Sequence, residues 1–440
     1  MSQTTDLGSF NDIALGTMQK HGLRWKLSLI LCLVIFAIAL SAWIYQLEHG
    51  MEWGGISHPI NWGIYITNFV FWVGIAHAGT LISAILFLTR ARFRTSIHRI
   101  AEAMTVIAVT TAGIFPIIHL GRAWYAFWVI PYPNQRDLWV NFKSPLVWDA
   151  FAISVYLFVS ITFLILGMIP DFASIRDESK GFRRKFFGIL SFGFRGNNHQ
   201  WLLHSRAYTL LAALATPLVI SVHTIVSWDF AVASVPGWHS TLFAPYFVIG
   251  AIFSGCAMVM MIIIPLRTGS RELKAVISIN HLGSLSKIMI LASGLIALSY
   301  LIEYFTAFYS TSPVERSVFW FRAFGDQKIL FWMMVLLNCF LPQLFWLDKI
   351  RGNTPAIFLI SLGICIGMWI ERFVIIVGSL SQGFDPFAWS TYRLQWIESW
   401  ITLGSFAWFF GLVLIFIRFF PSIAISELKE STIDNKRGLI

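Results

Sequence analysis

Three polar residues in an otherwise apolar chain stand where chemistry would need them. His119 in IFPIIHLGR, Asp149 in PLVWDAF and Asp229 in SWDF each sit at the edge of a long apolar run. An imidazole and one or two carboxylates at the water-facing rim of an apolar helical pocket suit oxidation of a quinol. Such a reaction needs bases for two hydroxyl protons, and aromatic and apolar surface for a ring and an isoprenoid tail. In that reading His119 takes one proton and Asp149 the other, while Asp229 serves proton exit or orients a neighbour. Trp124, Trp128, Trp148 and Trp228 flank these positions and could line the ring, although interfacial tryptophans also occur without such a role. An acid at the end of a span can equally rest in interfacial water, so the argument rests on the convergence of the three.

The elements that must position them follow from composition. The chain has 440 residues, of which 57% are hydrophobic and only 12% charged, so apolar runs recur from end to end with short polar breaks. That excludes an ordinary soluble domain and predicts an all-α polytopic membrane protein. Windows of about 20 apolar residues place ten transmembrane helices near 25–45, 61–89, 98–120, 147–170, 204–228, 240–266, 280–309, 328–347, 355–378 and 395–420. The first is followed by no small-residue cleavage site and reads as a retained span, not a removed signal. Of the 32 Lys and Arg, 24 fall on the side that carries both termini, 7 on the other, and Arg372 lies within a span. By the positive-inside rule both termini are cytoplasmic, and His119, Asp149 and Asp229 share the outer, periplasmic side of a bacterial inner membrane. The net charge of +10 is therefore a topology signal and not a nucleic-acid footprint. Cys32, Cys256, Cys339 and Cys365 lie in apolar runs without a CxxC pair, which argues against a zinc or iron-sulfur centre and for apolar filling.

FWVGIAHAGT in the second span and FVIGAIFSGC in the sixth align Phe71, Gly74 and Gly79 with Phe247, Gly250 and Gly255. With the copies four spans apart, an even number, the repeat is parallel. It predicts two four-helix bundles, spans two to five and six to nine, with two peripheral helices outside them. His77 aligns with Phe253, which points to polar chemistry confined to the first bundle. An ionisable group in mid-membrane is a functional-site hypothesis by default, and small neighbours Gly74, Ala78 and Gly79 turn His77 toward the bundle interior. With Thr80, Glu102, Tyr156, and the stripe Thr209, Thr216, His223 and Ser227 in the fifth span, it would form a proton path. Glu371 and Arg372 are counted with this proton path; being adjacent they cannot face each other along one helix and are expected to pair with other helices. A secondary transporter or proton channel is the competing class. A single haem between His77 and His223 also stays open, but no paired histidines of a two-haem cytochrome b are present.

The stretch GISHPINWGIYITNFVFWVGIAHAGTLISAILFLTR, followed by RIAEAMTVIAVTTAGIFPIIHLGRAW and PLVWDAFAISVYL, resembles the NrfD-like (polysulfide reductase membrane subunit) family, most of all the ActC-type quinol subunit of bacterial alternative complex III. The resemblance is dense from about Gly54 to Pro170 and looser through Arg372. It implies ten spans, no bound metal or haem, and quinol (menaquinol or ubiquinol) as substrate at an outer site. That site carries over to His119, Asp149 and, less closely, Asp229, with Trp148 and Trp124 beside it. It implies iron-sulfur and haem-carrying partner subunits on the periplasmic side, other membrane subunits of the same complex, and surrounding lipid. Some relatives instead anchor molybdopterin enzymes that reduce quinone or polysulfide. The aromatic outer connection 121–146 is the expected docking surface. The resulting division is a cytoplasmic tail at 1–24, a peripheral helix and outer loop at 25–60, the first bundle with the site at 61–228, the second at 240–378, and the tenth helix and tail at 379–440.

Overall fold

A computed structural model describes residues 9–19, 22–89, 91–129 and 143–436. Among these there is no strand beyond one isolated bridge between Ser57 and Ile60. Ten helices are long and apolar enough to cross a membrane: α1 Leu23–His49, α2 Ile64–Leu88, α3 His98–His119, α4 Pro145–Glu178, α5 Asn198–Ala231, α6 Phe243–Gly269, α7 Ile279–Tyr309, α8 Lys328–Trp346, α9 Thr354–Leu380 and α10 Trp396–Phe419. The protein is a multi-pass, all-helical membrane protein, as the hydropathy pattern predicts.

The helix ends differ from the apolar windows for a physical reason. Helices α4 and α5 each run 34 residues, about 51 Å at 1.5 Å per residue, well beyond a hydrocarbon core of about 30 Å. Hydropathy reports where the bilayer ends, whereas capping decides where a helix ends. The Asn197 side chain accepts from Gln200 N at 2.8 Å and opens α5 several residues before its first apolar stretch. Asn353 caps α9 in the same way, and Gln395 with Glu398 forms a capping box at α10.

Helix α2 is the axis of the packing: every residue from Ile64 to Thr80 is buried. It lies against α3, α5, α6 and α9, which only small side chains permit. A Cβ at Gly79 would run into Ala101 O and the Thr105 hydroxyl on α3, one at Gly255 would meet Ala78, and Gly74 faces Ala251 across the crossing with α6. Gly250 instead makes room for Arg372 on α9, so glycines that correspond in the repeat do not meet corresponding partners. Helices α2 to α5 pack among themselves, as do α6 to α9, and α1 pairs with α10, where Gly404 abuts Ala39. Two spans leave α-geometry: α2 has a π turn at Leu81–Ile85, and α8 passes through a π turn at Leu336–Phe340 into a 3-10 turn at Leu341–Trp346.

At the end that carries both termini, called inner below, the segments outside the spans close the first bundle. Ala14 and Met18 of the N-terminal helix Ser9–Gln19 pack with Phe172, Ile175, Ile423 and Leu428, and Arg418 donates to Met18 O at 2.6 Å. The C-terminal helix Ile425–Lys436 brings Glu427 to Arg94 at 2.8 Å and within 3.2 Å of His98. Ser426 donates from N and Oγ to Asp171, whose other oxygen accepts from Arg99 at 2.9 Å. Burial alone would raise the Glu427 pKa, but His98, Arg94 and Arg99 outweigh it and hold the carboxyl down at about 2.

A carboxyl depressed from 4.5 to about 2 stabilises the docked helix fully above pH 4.5 and loses that contribution as pH falls toward 2. Limited proteolysis of the purified protein should therefore cut within 421–436 slowly at pH 7 and progressively faster below pH 4.5. Glu427→Gln should show the fast cleavage already at pH 7.

Candidate functional site

The first turns of α4 and the last turn of α5 carry the same dipeptide, Trp148-Asp149 and Trp228-Asp229. Pro145 opens α4 at its first position, where a missing N–H is harmless, so the helix starts in time to turn Asp149 inward. Because the two spans are antiparallel neighbours, these dipeptides meet at the outer end. The indoles of Trp148 and Trp228 cross edge to face with centroids 6.0 Å apart, and the buried carboxyl groups of Asp149 and Asp229 interact side by side. Neither oxygen of Asp149 accepts a hydrogen bond among the described residues, nor does Asp229 Oδ1. Outside the pair these atoms have no hydrogen-bond partner among the described residues, so the two carboxyls offer buried polar atoms to an incoming donor.

His119 ends α3 at the same outer end, half-buried, with Nδ1 shielded from solvent and without a hydrogen-bond partner among the described residues. It makes no hydrogen bond to Asp149, so the structure brings the two acids together and leaves the histidine as a separate group at the same end. Trp124 lies in the 3-10 segment Ala123–Val129, 61% exposed and ring to ring with Tyr125. Of the expected docking surface, 130–142 lies outside the described residues, as does the Trp128 side chain.

Deeper in the first bundle, His77 and His223 meet with ring centroids 4.5 Å apart, and Tyr156 stacks on His77 at 5.3 Å. His77 Nδ1 lies 2.6 Å from Val73 O, which fixes the proton there and leaves Nε2 without a partner, and both His223 nitrogens are also unpartnered among the described residues. Tyr156 shares a 2.7 Å hydrogen bond with Thr80 and donates to Ala76 O, while the Ser160 hydroxyl one turn away is buried and unpartnered. The imidazoles are too close for a haem iron to sit between them, since each metal–nitrogen bond is about 2 Å and each ring adds its own radius. Among the described residues no three His, Cys, Asp or Glu are grouped to hold a metal ion.

The rest of the expected proton path is dispersed. Glu102 lies toward the inner end in an ion pair with Arg99 at 2.8 Å and accepts from Tyr208 at 2.9 Å, and among the described residues no hydrogen-bonded chain joins it to His77. Thr216 is half-buried and donates to Ala212 O of its own helix, and Thr209 is exposed. The buried face of α5 runs through Tyr208, Ala212, Ala215, Val219, Val222 and Val226, alternately four and three apart, so Thr209 and Thr216 fall one residue beside the seam, and only toward the outer end, where the buried face widens, does it take in His223 and Ser227.

Two further expectations are corrected. Glu371 and Arg372 do approach each other, at 3.1 Å, in addition to partners elsewhere: Glu371 accepts from Tyr300 and from Asn338 at 3.2 Å, and Arg372 lies over the Phe247 ring at 4.2 Å. Buried polar groups are not confined to the first bundle either, since Glu303, Asn338, Glu371 and Arg372 are all buried in the second. Sequence reading missed Arg99, Asp171, Tyr208 and Asn338. The spacing of Arg99 and Glu102, three apart on one helix, was an available signal for the first. Nothing local marks Asn338, which the π turn of α8 directs inward.

The comparisons with known proteins agree with this architecture. The model of the family described as "Polysulphide reductase, NrfD" matches residues 54–382, well over half of the chain. A putative dimethyl sulfoxide reductase membrane subunit of Halobacterium salinarum is 25% identical over 52% of this chain and 49% of its own length. A selenate reductase subunit of Mesobacillus selenatarsenatis is 21% identical over 76% of this chain and 77% of its own. An Hdr-like menaquinol oxidoreductase integral membrane subunit of Archaeoglobus fulgidus is 21% identical over 52% and 49%. The chain thus spans about half the length of two of these relatives and three-quarters of the third. On the family match the chain belongs to the NrfD family of polysulphide reductase membrane proteins.

Proposed function

We propose that this chain is the quinol-oxidising, quinone-binding membrane subunit of a respiratory electron-transfer complex, of the ActC type found in bacterial alternative complex III. The observation that carries the reading is the Asp149–Asp229 pair: buried carboxyl oxygens without a hydrogen-bond partner outside the pair among the described residues, beside two crossed indoles, at the outer rim of an apolar bundle. A quinol brings two hydroxyl donors, a flat ring and an apolar tail, and supplies what each of these groups lacks. Its oxidation releases two electrons and two protons. Asp149 takes one proton and His119 the other, with Asp229 beside Asp149 passing protons to the outer water. The electrons leave to an iron-sulfur or haem-carrying subunit docked over the outer connection, on the periplasmic side of the cytoplasmic membrane. The menaquinol in one relative's name supports a quinone-linked complex, and the dimethyl sulfoxide and selenate reductases named for two others support a subunit of a multi-subunit reductase. In a complex of the latter kind the same site would run in the same direction, with a molybdopterin enzyme as the electron acceptor.

A proton-transfer role for the interior of the first bundle rests on a separate observation, the two touching imidazoles with three unpartnered nitrogens. Neutral imidazole both donates and accepts, so the pair can pass a proton once water or a small rotation connects it to Tyr156 and Ser160.

Asp149→Asn and His119→Ala should each lower quinol-dependent electron transfer in the assembled complex by roughly 10²- to 10⁴-fold, the range of a positioned acid–base group. Asp229→Asn should come close to the Asp149 variant, because the two carboxyls form one site. Near-normal turnover in both Asp149→Asn and His119→Ala would remove the site from this place. His77→Phe should spare binding of a quinol analogue while lowering proton translocation per electron; loss of analogue binding in a folded variant would put the site deeper than the Trp pair. Reporters fused at either terminus or in 171–197 should read cytoplasmic, and one in 121–129 external.

A further inference from the structure

A groove of 390 Å³ opens on the inner end of the second bundle, lined by Lys287, Ile290, Leu291, Trp346 and Arg351. Its lining is ordered by depth. Lys287, two turns into α7, and Arg351, just past α8, form the rim, while Ile290 and Leu291 stand about one turn nearer the membrane centre. Deeper still the apolar wall continues through exposed Leu295 and Leu298 of α7 and Phe340 and Leu344 of α8. The 3-10 ending of α8 supports the other wall. Side chains at i and i+3 eclipse in that geometry, and Trp346 donates from Nε1 to Gln343 at 3.0 Å, which holds a 66%-exposed indole upright at the rim.

We infer that this groove binds one anionic phospholipid of the inner leaflet, with its phosphate between Lys287 and Arg351 and an acyl chain along Leu291, Leu295 and Leu298. Charge decides the headgroup class. Arg351 is anchored through Phe345 O at 2.6 Å and paired with Asp348, so its charge is locally offset, whereas Lys287 is exposed and forms no ion pair among the described residues. The rim therefore keeps an excess positive charge, which a zwitterionic headgroup compensates poorly and an anionic phosphodiester matches. Shape decides between a lipid and a free anion: only a molecule with a chain uses the apolar wall below the rim. The volume lies within the range of about 300–1,000 Å³ typical of small-molecule sites. An indole at this depth suits the glycerol and carbonyl layer.

The test is native mass spectrometry of the delipidated complex, incubated separately with phosphatidylglycerol, with phosphatidylcholine and with inorganic phosphate. Lys287→Glu reverses the free charge, and Leu291→Trp fills the groove without touching charge; neither residue belongs to the quinol site. The wild-type complex should retain phosphatidylglycerol at least tenfold better than phosphatidylcholine, each variant should lose about tenfold of that retention, and millimolar phosphate should not displace the lipid. Equal retention of the two lipids, unchanged retention in both variants, or displacement by phosphate alone would overturn the assignment. So would a photo-crosslinking side chain at Leu291 that captures another subunit of the complex in place of lipid.

Discussion

Inside a bilayer a polar group has no water to fall back on, and that single constraint organises this molecule. The backbone meets it by being helical across all ten spans. Side chains meet it unevenly. Asn68 has a partner at each end of its amide, accepting from Trp369 at 2.7 Å and donating to Thr402 at 2.8 Å, and so ties α2, α9 and α10 together. The Arg99 network is nearly so. The acids at Trp148-Asp149 and Trp228-Asp229 and the imidazoles of His77 and His223 are left short in the first bundle, while in the second single atoms of Tyr246, Asn338, Glu371 and Arg372 are left short on side chains that otherwise have partners. Where a fold satisfies most of its buried polar atoms and leaves a cluster without partners, the cluster is better explained by a ligand, by water or by transferred protons than by packing.

The same constraint explains why α2 can be buried along its whole membrane length. Without a hydrophobic gain from helix association in lipid, close approach must supply dispersion contacts, and Gly74, Ala78, Gly79 and Gly255 bring α2, α3 and α6 near enough for that. The tight crossing also holds His77 at a fixed depth against Tyr156 and His223. A larger side chain at Gly79 would push α3 away, and with it His119 at its outer end.

Much of this was legible from residue order. Long apolar windows marked the spans, the Lys and Arg asymmetry put His119, Asp149 and Asp229 on a common side, and antiparallel neighbours made the convergence of the two acids predictable. What was not legible depends on rotation about helix axes. The heptad stripe Thr209, Thr216, His223 looks continuous in sequence, but the buried seam runs one residue earlier, through Tyr208, Ala215 and Val222, and takes in His223 only where the buried face widens toward the outer end. Adjacent Glu371 and Arg372 reach each other because long side chains can bend toward one point, which backbone spacing alone does not disclose. Asn338 faces inward through a π turn, and no short-range pattern announces such a turn.

The inner closure by Ser426 and Glu427 bears on how the chain matures. Arg94, Arg99 and Asp171 enter the membrane region early in synthesis, whereas the residues that complete their network are translated only after α10. Until then the first bundle holds buried charges with incomplete pairing, and it reaches its final ion network only when the last span has been inserted and the segment behind it has folded back. A chain cut before residue 426 would carry all ten spans and still lack the groups that complete this network.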